Sequence, residues 1–60
     1  MTENEKAYSL YKDGEVNAES KTEALEIIAE ARRMDKEYGN GKAQYSYMQV
    51  FKNSYIVKQF

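Results

Sequence analysis

Cysteine and histidine are both absent from this 60-residue chain. Without cysteine there is no disulfide staple and no thiolate metal site, and without histidine the usual proton carrier near neutral pH and the commonest metal ligand are missing. Catalysis by a nucleophile and a base therefore lacks its ordinary base. Ser20-Lys21 and Ser54 with Lys58 are formal Ser-Lys pairs, of a kind that chance supplies in a chain this size. No glycine pattern of the Walker or dinucleotide type occurs, and Asp13-Gly14-Glu15 is too short for a calcium loop. No apolar run approaches a membrane span, and nothing before Lys6 has the form of a signal peptide. The expectation is a cytoplasmic protein that is not an enzyme and takes no cofactor, metal or small-molecule substrate.

Acidic residues are missing from one region altogether. All ten lie at or before Glu37, so residues 1–41 carry six bases against ten acids, a balance of −4, while residues 42–60 hold Lys42, Lys52 and Lys58 and no acid. The whole chain has a net charge of −1, which fits neither a strongly basic nucleic-acid binder nor an acidic nucleic-acid mimic. A chain this short makes one domain that buries only about 60% of its unfolded surface, so the core is thin.

The clearest pattern present is a helix over Ser20 to Tyr38. Ser20-Lys21-Thr22-Glu23 has the S-x-x-E form, in which the Ser20 hydroxyl accepts from the Glu23 amide and the Glu23 carboxylate reaches back to the amide of residue 20. Ala24, Ile27, Ile28, Ala31, Met34 and Tyr38 recur at helical spacing, widened by Leu25, and form the face that packs on a core. Glu23, Glu26, Glu30, Arg33 and Glu37 form the solvated side. Acids lead and Arg32, Arg33 and Lys36 follow, the order the helix dipole favours, with Gly39 placed to end the helix in a left-handed conformation.

The segments on either side read as strands. Met1 to Glu5 is a polar, disordered tail, and the domain spans residues 6–60. Ala7–Tyr11, Lys12-Asp13-Gly14 and Glu15–Glu19 read as a hairpin. A three-residue loop puts Tyr8, Leu10, Val16 and Ala18 on one face and Ser9, Tyr11, Glu15, Asn17 and Glu19 on the other. After Gly39-Asn40-Gly41, the runs AQYSYMQVF and SYIVKQF flank Lys52-Asn53 as a second hairpin. One register has Met48, Val50, Tyr55 and Val57 facing one way and Tyr45, Tyr47, Phe51, Ile56 and Phe60 the other. Neither set is polar.

The expected fold is α+β: ββαββ, one helix packed on a four-stranded, mainly antiparallel sheet; the crossover rule favours the two terminal strands as parallel central neighbours, and the alternative order puts the second hairpin at a sheet edge, where it would serve a dimer. In element order alone this resembles the protein G immunoglobulin-binding domain or a minimal β-grasp. No motif is shared with them, and immunoglobulin binding is not carried over. A second resemblance rests on Ser20-Lys21-Thr22-Glu23-Ala24-Leu25, which is similar to the T-K-x-E-A stretch that opens the helix after a sheet in the arm-type DNA-binding domains of tyrosine integrases. It implies a sheet face laid in the major groove by basic residues. The first hairpin here offers Lys6 and Lys12 against Glu15 and Glu19, so the functional reading does not rest on it.

Function is expected at the second hairpin, where Tyr45, Tyr47, Phe51, Tyr55 and Phe60 interleave with lysines. Aromatic residues are also what strands favour, so some of these rings are core. The surplus apolar surface points to a small protein-interaction module of regulatory type, of bacterial or phage-like size, that binds a protein target, or itself as a homodimer. The contact residues are Tyr45, Tyr47, Phe51, Tyr55, Lys52 and Lys58. The alternative is a nucleic-acid-binding face in which bases stack on Tyr45, Tyr47 and Phe51 while Lys42, Lys52 and Lys58 meet phosphates; three lysines are few for that task.

Overall fold

The computed structural model describes residues 2–60 as helix α1 (Glu3–Asp13), strand β1 (Glu15–Ala18), helix α2 (Lys21–Tyr38), and strands β2 (Tyr45–Phe51) and β3 (Ser54–Gln59). The fold is α+β with a three-stranded antiparallel sheet, in place of the expected four strands and one helix. The missing strand is the stretch Ala7–Tyr11, which is helical. Three local forces decide this. Thr2 and Glu5 form a reciprocal cap: the Thr2 hydroxyl accepts from the Glu5 N–H at 3.2 Å and the Glu5 carboxylate from the Thr2 N–H at 3.0 Å. Ala7, Leu10 and Tyr11 have the spacing of one helix face, and Ala7 and Leu10 are fully buried while Tyr8 is exposed. Gly14, expected in a hairpin loop, instead ends α1 with a left-handed φ of 84° and donates its N–H to the Leu10 carbonyl at 3.0 Å. Residues 3–5, expected in the tail, are the first turn of this helix.

Helix α2 follows the expected span, with its start capped by the Ser20 hydroxyl, which accepts from the Glu23 N–H at 3.0 Å. The return bond goes one residue further back than expected: Glu23 accepts from the Glu19 N–H at 2.8 Å and also from Lys6 Nζ at 3.0 Å, which joins α2 to α1. Ala24, Ile27, Ile28 and Ala31 are buried and Met34 packs against them. Tyr38, expected on this stripe, is exposed, because the last turn runs past the packed core and Asp35 takes the inward position. Gly39 does not adopt the left-handed conformation; its φ is −119°.

The strand order is β1-β3-β2, with both pairings antiparallel. The C-terminal strand is central, but it has no parallel neighbour. Both helices lie on the same face, α1 over β1 and β3 and α2 over all three strands, with least contact to β2. The inner face carries Val16 and Ala18 of β1, Tyr55 and Val57 of β3, and Tyr45 and Tyr47 of β2. β1 keeps the expected polarity, with Val16 and Ala18 inward and Glu15 and Asn17 outward. In the second hairpin, by contrast, Tyr55 and Val57 share the face of Tyr45 and Tyr47, while Met48 pairs with Ile56 on the other side.

Candidate protein-interaction surface

β2 is the long edge of the sheet. The Phe60 N–H donates to the Gln44 carbonyl at 2.8 Å. In an antiparallel ladder hydrogen-bonded pairs alternate with unbonded ones, so Ser46 and Met48 bond to β3 opposite Lys58 and Ile56. Tyr45, Tyr47 and Gln49 therefore turn their N–H and C=O groups away from β3, and among the described residues no strand lies there to receive them. The strand ends in a bulge between Gln49 and Phe51, and the Gln49 amide donates to the Lys52 carbonyl at 3.1 Å to hold the turn.

Two apolar surfaces meet at this edge. On the outer face, which neither helix covers, Met48 is 60% exposed and Phe51 79%, with Val50 exposed and Ile56 half-buried beside them. That patch is flanked by the Lys58–Glu15 ion pair at 3.7 Å. On the inner side, a groove of about 290 Å³ runs between α2 and β2, lined by Leu25, Ile28, Ala29 and Arg32 from the helix and Tyr45, Ser46 and Tyr47 from the strand. Leu25 is 48% exposed there.

The residues expected at a partner surface divide. Phe51, Lys52 and Lys58 are exposed, Tyr45 is buried, and Tyr47 and Tyr55 are half-buried on the inner face, where their rings meet edge to face with centroids 6.1 Å apart. Lys42 lies in the exposed connection after α2 and Phe60 projects past β3. The stacking platform of Tyr45, Tyr47 and Phe51 is thus not assembled, because the tyrosines and Phe51 do not share an exposed face. Met48, Val50 and Leu25, with half-buried Ile56, add to Phe51 the exposed apolar surface beside β2. Strand order and parity set the outward positions of Met48 and Ile56, and neither can be read before the register is known.

A polar cluster supports the start of β2. Asp35 is only 7% exposed; its Oδ2 accepts the Ala43 N–H at 2.9 Å and its carbonyl accepts from Gly39 and Gly41. The Tyr45 hydroxyl has no hydrogen-bond partner among the described residues. Burial pushes that phenol above its ordinary pKa, and the Asp35 carboxylate and Tyr11 add to the shift. The spacing of four from Ala31 to Asp35 is the signal that places Asp35 on the inward stripe.

A larger, polar hollow of about 750 Å³ lies between α1 and β1, lined in part by Asp13, Glu15, Glu19 and Glu23. No group of three or more acidic, histidine or cysteine residues is placed to hold a metal ion among the described residues. No helix among them is long and apolar enough to cross a membrane.

The chain matches no protein-family model, no curated protein and no solved structure.

Proposed function

We propose that this chain is a protein-interaction module without catalytic activity, and that its contact surface is the β2–β3 hairpin. The observation that carries this reading is the junction of an uncovered apolar face, Met48, Val50, Phe51 and Ile56, with the open edge of β2. An extended segment added along Tyr45, Tyr47 and Gln49 gains main-chain hydrogen bonds, and its alternate side chains reach the groove under Leu25 and the outer strip at Met48. Affinity then comes from the backbone and selectivity from the two apolar surfaces. A nucleic-acid partner is the weaker reading, since the outward surface pairs few rings with few cations.

The test is a photo-crosslinking phenylalanine analogue at Phe51 in cells that express the protein, with the same probe at exposed Tyr8 on the helix side as the comparison. Protein adducts formed at position 51 and not at 8 support the reading. Nucleic-acid adducts at position 51 favour the alternative, and equal labelling at both positions removes the hairpin from consideration.

A further inference from the structure

Strand addition at β2 can be satisfied by another protein or by this chain itself. Resting on the strand-addition reading, we infer that the occupant is a second copy of this chain, with β2 pairing antiparallel to β2 of the other copy across a two-fold axis at Tyr47, so that two three-stranded sheets become one.

The charge pattern is the first support. Edge strands that stay unpaired are ordinarily blocked by lysine, proline, an inward charge or shortness. β1, the other edge, has four residues and is bounded by Glu15 and Glu19, with Lys58 across from it. β2 has seven residues, Tyr-Ser-Tyr-Met-Gln-Val-Phe, none of them charged and none proline. Among the described residues β2 is the unguarded edge, and its seven residues set no charge against those of a second copy.

The hydrogen-bond phase is the second. With the outward groups on Tyr45, Tyr47 and Gln49, a two-fold at Tyr47 sets Tyr47 opposite its own copy and Tyr45 opposite Gln49, all in hydrogen-bonding pairs. The strand is self-complementary in that register.

The third is where the apolar surface goes. A two-fold perpendicular to the sheet keeps both helix layers on one side and both bare faces on the other. Met48 of each copy then lies across from Ser46 of its partner, and the strips of Met48 and Ile56 run together. On the inner side the grooves beside Leu25 and Ala29 face each other, and the small side chain of Ala29 allows close approach. A standard contact removes about 800 Å² from each partner. Against the 4290 Å² surface of this chain that is just under a fifth.

The test is the mass in solution, by sedimentation or light scattering up to about 1 mM protein, read together with amide hydrogen exchange. Twice 7.0 kDa is expected, with the Tyr45 and Tyr47 amides protected although they have no acceptor among the described residues of their own chain. Gln49→Pro removes an outward N–H and no intrachain ladder bond, so it is expected to give a folded monomer by circular dichroism, while Gln49→Ala, which keeps that N–H, stays dimeric. If Gln49→Pro unfolds, the wild-type exchange pattern decides alone. A 7.0 kDa species whose Tyr45 and Tyr47 amides exchange freely overturns the second-copy inference. In that case protein adducts at position 51 still uphold strand addition by another protein, and their absence sinks both. A dimer that survives Gln49→Pro in folded form places the contact elsewhere and also overturns the inference.

Discussion

The carboxylate of Asp35 accepts the backbone N–H of Ala43 at 2.9 Å, so the end of α2 holds the start of β2. Gly39 is required by the same arrangement, because a Cβ there would lie 2.5 Å from Asp35 Oδ1 and 2.9 Å from the Asp35 carbonyl oxygen. Gly39→Ala is expected to lower stability by about 1–3 kcal/mol through overpacking. Asp35→Ala, which orphans the Ala43 N–H, is expected to cost about 1–3 kcal/mol. The double variant should cost less than the sum, since removing the carboxylate relieves part of the clash. Denaturant titration of the three variants checks this, and a neutral Gly39→Ala would mean that the helix end relaxes freely.

Leu10 and Tyr8 separate a helical α1 from a hairpin. On a strand the two side chains share one face; on the helix Leu10 is fully buried and Tyr8 is exposed. Leu10→Ala is expected to cost about 2–5 kcal/mol. Tyr8→Ala should stay within about 0.5 kcal/mol of the parent. Equal losses in thermal melts would contradict the helix.

Two carboxylates, Glu23 on α2 and Glu3 on α1, predict opposite responses to pH. The Glu19 N–H and then Lys6 stabilise ionised Glu23 and lower its pKa, so its contribution is present above the unfolded value and is lost as pH falls through the folded one. Glu23→Gln is expected to lower the melting temperature at neutral pH, with the gap closing in acid. Glu3 is shifted upward, first by desolvation and then by Glu26, so its contribution is full in acid and is lost as pH rises through the folded value. Glu26→Gln is expected to raise the melting temperature at neutral pH and to leave it unchanged in acid. Melting curves across that range check both signs.

The hairpin variants test surface against core. Phe51→Asp alters a side chain that is 79% exposed and is expected to leave the circular dichroism intact while abolishing association. Tyr47→Asp places a charge on the inner face and is expected to unfold the domain. Retained folding in Tyr47→Asp would show that the ring contributes nothing to the core.

The legible parts of this fold are those with a single consistent period. α2 is announced by Ser20, the stripe from Ala24 to Ala31, and the order of its charges; the two C-terminal strands are announced by β-branched and aromatic content. Ala7–Tyr11 misleads because Tyr8 and Leu10 fit alternation while Ala7, Leu10 and Tyr11 fit a helix turn. The reciprocal cap at Thr2 and Glu5 and the left-handed Gly14 at the far end join the Ala7, Leu10 and Tyr11 spacing in favouring the helix. The candidate surface is harder still. Composition locates the hairpin but not its outward residues, since parity follows from pairing with β1, more than thirty residues away in the chain. Phe51 is exposed, as its position beside the turn suggests. Met48 and Ile56 become visible only with the register.

The placement of β3 between its two neighbours has a consequence for assembly. β1 and β2 share no bond with each other, so until β3 arrives neither has a backbone to lie against. A nascent chain can pair α1 with α2 early, but no strand can pair until β3, the partner of both others, is present. Lesions in Ser54–Gln59 would therefore abolish the whole sheet, whereas equal damage to β1 would leave a hairpin standing.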